Sequence, residues 1–117
     1  MSSGSGNEKS PKFPKYPDPI LQEVFGQYEK KFDVAEELAA RAKNEDKLGY
    51  LRKSIRYYRL ASNYYLEAIE TEPETIQNRN EVVEKARENL RRAQFLQQCL
   101  DFQERREAGF CGLCNIL

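Results

Sequence analysis

Histidine and tryptophan are missing from this chain altogether. The absence of histidine removes the commonest general base and the commonest neutral metal ligand. No Ser/His or Cys/His pair exists for nucleophilic catalysis, and no glycine-rich loop could cradle a phosphate. An enzyme, a metal centre and a cofactor are therefore not expected. No apolar run approaches the roughly 18 residues that a membrane-spanning helix needs. The opening MSSGSG is polar and lacks a signal-peptide core, and Ser2 in place of glycine excludes N-myristoylation. Net charge is scarce as well: 19 basic and 19 acidic residues cancel. Nothing global then attracts nucleic acid, and no nucleic-acid partner is expected. The 3 cysteines are an odd number in a chain with no secretory signal, which argues for a reducing, cytoplasmic setting.

What is present is helical patterning. The chain organises around Asn44 to Pro73, where Leu51, Ile55, Tyr58, Ser62, Tyr65 and Ile69 recur at helical spacing. Beside them runs a second stripe of Tyr57, Leu60, Ala61, Tyr64 and Ala68. That apolar face is too wide for one neighbour, so this helix needs partners on two sides. Residues 1 to 17 are rich in Ser, Gly, Lys and Pro and read as a disordered leader. Asp18-Pro19 reads as a helix start, with Ile20, Val24, Tyr28, Phe32, Ala35, Leu38 and Ala42 following in register. Gly26 lowers helical preference by about 1 kcal/mol relative to alanine and marks a bend or break. Gly49 sets the next helix to begin at Tyr50, and Pro73 ends it. Thr75 is placed to cap a last helix marked by Val83, Ala86, Leu90, Ala93, Leu96 and Leu100. On its polar side Glu88 and Arg92 form an attractive pair at i,i+4. These readings give an all-α chain: an antiparallel three-helix bundle over residues 18 to 108, then a flexible tail from 109 to 117.

The segments AKNEDKLGYLRKSIRYYRLASNYYLEAIETEPE and VVEKARENLRRAQFLQ resemble the MIT domain, a three-helix module of ESCRT-associated and trafficking proteins. The matching features are Ala42, Glu45-Asp46-Lys47, Tyr58, Tyr65-Leu66, Ala68-Ile69 and Leu90-Arg91-Arg92-Ala93, within roughly residues 32 to 98. Residues 57 to 73 also fit the second helix of a tetratricopeptide repeat, but a third long helix follows directly. The resemblance implies binding of short C-terminal ESCRT-III peptides. One groove, between the second and third helices, takes an amphipathic helix; the other, between the first and third, takes an extended, proline-containing strand. On this reading Leu90 and Ala93 form a groove floor, with Leu66 and Ile69 across from them. The family often places acids beside that floor to pair a peptide arginine. Here Arg91 and Gln94 stand in their place, which points to an acidic peptide or to the other groove.

The last residues, Cys114-Asn115-Ile116-Leu117, form a CaaX-like box whose terminal leucine favours geranylgeranyl. Cys111 is a candidate for palmitoylation, the second signal that stable anchoring needs. Cys111-Gly112-Leu113-Cys114 is also C-x-x-C, a redox or half-zinc spacing, although Cys99 is the sole further cysteine. The function expected is an adaptor that binds a trafficking peptide, prenylated at Cys114 and held on the cytosolic face of a membrane. The alternative is a scaffold in which the wide face of the middle helix self-associates.

Overall fold

The computed structural model describes residues 19–107. The leader and the tail, including Cys111 and Cys114, lie outside the described residues. Within them the chain is all-helical: α1 (Pro19–Gln27), α2 (Lys31–Leu48), α3 (Leu51–Thr71), a 3-10 turn (Pro73–Thr75) and α4 (Arg79–Glu107).

Four helices replace the three expected because the first helical segment divides. On one continuous helix Phe25 and Phe32, seven residues apart, would share a stripe. Instead Phe25 packs on Tyr64, ring centroids 5.8 Å apart, while Phe32 meets Tyr65 edge-on at 5.8 Å. Tyr64 and Tyr65 are neighbours about 100° apart around α3. The break at 28–30 lets the two phenylalanines reach different flanks of the same helix. It also creates a fresh helix N-terminus whose amides need acceptors. Lys30 is extended and its side chain supplies none. Glu72, from the end of α3, does so: its carboxylate accepts from the backbone N–H of Lys31 (2.8 Å) and of Phe32 (3.4 Å).

At the other end of α2, Gly49 closes the helix with φ +87°, its N–H donating to Asp46 O and that of Tyr50 to Glu45 O. This left-handed position favours glycine. Helix α3 then starts at Leu51, with Tyr50 as its cap residue. The cap of α4 is Asn78 rather than Thr75. Asn78 Oδ1 accepts from the Glu81 N–H at 3.1 Å, while the Thr75 hydroxyl turns back to Glu72 O at 2.9 Å. The sequence signal was the run Asn78-x-x-Glu81, a capping-box spacing that lies three residues beyond Thr75.

Helix α3 is the centre of the molecule and packs along both α2 and α4. Ala35, Ala42, Ala61 and Ala68 are fully buried, and small residues allow close approach between helices. Ser54, also fully buried, donates to Ala42 O at 3.2 Å and so leaves no orphan hydroxyl. Helices α2 and α4 do not pack directly along their length. Leu21, Val24 and Phe25 of α1 complete the core.

Candidate functional site

Because α2 and α4 stay apart, a cleft opens between them with α3 as its floor. Its volume is about 610 Å³. Glu36, Ala39, Ala40 and Lys43 come from α2; Tyr58 and Tyr65 from α3; Lys85, Glu88, Asn89 and Arg92 from α4. The floor tyrosines are seven residues apart, as are Lys85 and Arg92, so each pair lies on one helical stripe.

Two cross-ties span the cleft. At one level Glu36 Oε2 accepts from the Tyr65 hydroxyl at 2.7 Å and from Lys85 Nζ at 2.8 Å. The Lys85 ammonium also lies 5.6 Å from the Phe32 ring centroid and 5.9 Å from that of Tyr65. At the other level Asp46 Oδ2 accepts from the Tyr58 hydroxyl at 2.9 Å and from Arg92 Nε at 2.8 Å. Arg92 Nη2 reaches Oδ1 at 3.1 Å, completing a bidentate pair. Arg92 thus pairs with Asp46 of α2 rather than with Glu88 one turn before it.

These contacts set the ionisation of the cleft. The hydrogen bonds from Arg92 hold the Asp46 carboxyl below its usual range, against partial burial. Burial works against the Glu36 carboxylate, but hydrogen bonds from Lys85 and Tyr65 prevail and lower it. Burial, then the hydrogen bond to Asp46, pushes the Tyr58 phenol up to about 12. Tyr65 is raised too, by burial first and by Glu36 second.

Between the ties lies an unsatisfied group. Asn89 is 9% exposed, and its amide nitrogen donates to Lys85 O at 2.8 Å. Its Oδ1 is buried and has no hydrogen-bond partner among the described residues. A buried acceptor left unpaired costs roughly 1–3 kcal/mol. Asn89 lines the cleft, and a donor there reaches its buried Oδ1 only if the side chain turns outward.

The residues expected from sequence to bind a peptide do not line this cleft. Ala93 is fully buried and Ile69 nearly so at 8% exposed, so both serve the core. Leu66 and Leu90 are exposed, 47% and 40%. Arg91 and Gln94 are exposed on α4, with Arg91 4.0 Å from Glu84. The cleft residues Glu36, Lys85 and Asn89 were missed as a set. The seven-residue spacing of Tyr58 with Tyr65 and of Lys85 with Arg92 was the signal that could have found them.

Among the described residues no group of three His, Cys, Asp or Glu could hold a metal ion, and no helix is long and apolar enough to cross a membrane. The chain matches no family model, no curated protein and no solved structure.

Proposed function

We propose that this chain is a non-enzymatic adaptor module that captures a short extended segment of another protein in the cleft between α2 and α4. The observation that carries the reading is Asn89, a cleft-lining residue whose buried Oδ1 has no hydrogen-bond partner among the described residues and gains one if it turns to a ligand. An extended peptide presents backbone N–H groups suited to it. The two ties are about 10 Å apart along α3 and α4 and about 15 Å apart along α2, the length of about three to five extended residues. A strand laid over them would drop one side chain onto Ala39 and Ala40. The finer architecture belongs to the same proposal: α2, α3 and α4 as an antiparallel, MIT-like bundle, with α1 added in front. The partner is then a C-terminal peptide of the ESCRT-III kind.

Prenylation of Cys114 is the second half of the proposal. It requires Leu117 to carry a free carboxylate, because the CaaX-like box is read only at a chain end. Intact mass of the protein from eukaryotic cells, with Cys114→Ser alongside, tests it: a lipid adduct lost in the variant supports it, and an unmodified mass removes it.

The cleft is tested by titrating ESCRT-III tail peptides while following amide shifts, with Asn89→Leu as the variant. Shifts clustered at Ala39, Lys43 and Asn89 are expected. The variant should keep its stability within about 1 kcal/mol, because an unpaired acceptor is removed along with one hydrogen bond, and should weaken binding about tenfold. Shifts confined to other faces, or full affinity in Asn89→Leu, would refute the cleft.

A further inference from the structure

The 19 basic and 19 acidic residues cancel, but the fold does not spread them evenly. Beyond the Asp46 tie lie the end of α2, the Gly49 turn, the start of α3 and the latter half of α4. Residues 45–56 and 92–107 give this end 7 basic and 5 acidic side chains. Two of those acids are already paired, Asp46 by Arg92 and Glu104 by Arg52. The others are Glu45, Asp101 and Glu107. Beyond the Glu36 tie the balance reverses: residues 29–33 and 67–84 hold 3 basic and 8 acidic side chains. A net charge of zero thus conceals a charge axis along the bundle. In α3 alone Arg52, Lys53, Arg56 and Arg59 come first and Glu67 and Glu70 last, the reverse of what the helix dipole favours. Folding does not account for that arrangement.

The basic end also presents apolar tips. Lys47, Leu48, Gly49 and Tyr50 are all exposed, Leu48 at 59% and Tyr50 at 58%. A hollow of about 360 Å³ beside the turn is lined by Tyr50, Leu51, Arg52 and Lys53. On α4, Phe95 and Phe102 are seven residues apart and share a stripe. The guanidinium of Arg92 lies 5.2 Å from the Phe95 ring centroid, and that of Arg105 lies 5.8 Å from that of Phe102. Single apolar tips at a turn lack the row of anchors that a docked helix or strand needs. A bilayer needs no such row: apolar and aromatic tips enter its interfacial layer, and Lys and Arg meet its phosphates. The chain continues from this same end. Cys114 follows 7 residues after Glu107, within about 25 Å of it.

We infer that the Gly49 turn is a membrane-contact surface for an anionic bilayer. Leu48 and Tyr50 enter the interfacial layer, and Lys47 and Lys53 meet the headgroups. The charge axis sets the orientation, because the acidic end is repelled and the bundle stands on its turn. The surface goes beyond the proposed anchor: it acts without a lipid on Cys114 and without an occupant in the cleft.

The test uses the full chain from bacteria, with intact mass showing that it carries no lipid, so its failure and that of prenylation are separate results. The protein should sediment with phosphatidylcholine vesicles containing phosphatidylserine, weakly with phosphatidylcholine alone, and less as salt rises. The chain has no tryptophan, so Tyr50→Trp places a single indole at the contact. Its emission should shift to the blue on anionic vesicles and be quenched by brominated lipid. The double variant Lys47→Glu, Lys53→Glu should lose about tenfold for anionic vesicles and gain affinity for vesicles made with a cationic lipid. A misfolded protein does not explain that exchange, and glutamate in the first turn of α3 suits the helix dipole. Asn89→Leu should bind vesicles unchanged. Equal binding to both vesicle types, binding without an indole shift, or full affinity in the double variant would each overturn the proposal. So would an indole shift with soluble phosphoserine alone, or a dimer in sedimentation that the double variant abolishes.

Discussion

Asp46 accepts hydrogen bonds from two helices at once, from Tyr58 of α3 and Arg92 of α4. Removing its charge should therefore cost more than removing the Tyr58 hydroxyl. Asp46→Asn weakens both charge-assisted bonds, and a loss of about 1–3 kcal/mol is expected by denaturant unfolding. Tyr58→Phe should cost roughly 1 kcal/mol, because Arg92 still pairs the carboxylate. The Tyr58 phenol is pushed up to about 12, so its contribution is complete below the ordinary tyrosine range and is lost as pH rises through that value. An ultraviolet titration should show Tyr58 ionising above the ordinary tyrosine range, at about 12, and ionisation within the ordinary range would contradict the tie. At this scale the sequence was half legible. The stripes identified Tyr58 and Tyr65 as inward-facing, yet nothing local tells that their hydroxyls end on Asp46 and Glu36, which arrive from a helix many residues away.

Among the elements, the ends of the helices carry most of what local reasoning missed. Pattern and proline placed α3 and its limits within a residue or two, because those signals are local. The division of α1 from α2 was legible only as a weakness at Gly26. Its position at 28–30 follows from where Phe25 and Phe32 find their aromatic partners on α3. Gly26 itself is helical, and a Cβ there would meet nothing within 4 Å. Gly26→Ala should therefore stabilise the chain by about 0.5–1 kcal/mol in thermal unfolding. Gly49 is the opposite case. Its surroundings are equally open, but its φ of +87° makes Gly49→Ala a strained change, with an expected loss of about 1 kcal/mol. The candidate site was less legible than the fold for the same physical reason. A cleft arises where two helices fail to meet, and a single helix's periodicity cannot report on that.

Taken whole, the molecule is a central helix with two flanking helices held apart by α3 and joined across the gap by Glu36–Lys85 and Asp46–Arg92. Both acids have lowered pKa values. Their contribution is therefore complete above the ordinary carboxylate range, near pH 4, and is lost as pH falls through the depressed folded values. Thermal midpoints should drop over that acidic window, and the drop should flatten when Glu36→Gln and Asp46→Asn are combined. An unchanged acid profile in that variant would show that the ties add nothing to stability.

The carboxylate of Glu72, set against the start of α2, makes the α2–α3 pair a closed clasp, fastened by the Gly49 turn at one end and by this contact at the other. Tension applied between Pro19 and the 3-10 turn would reach that fastening first and would have to part it before the two helices could peel. In an optical trap, Glu72→Gln should lower the force at which the hairpin opens, while a break in α4 beyond Leu100 should leave that force alone.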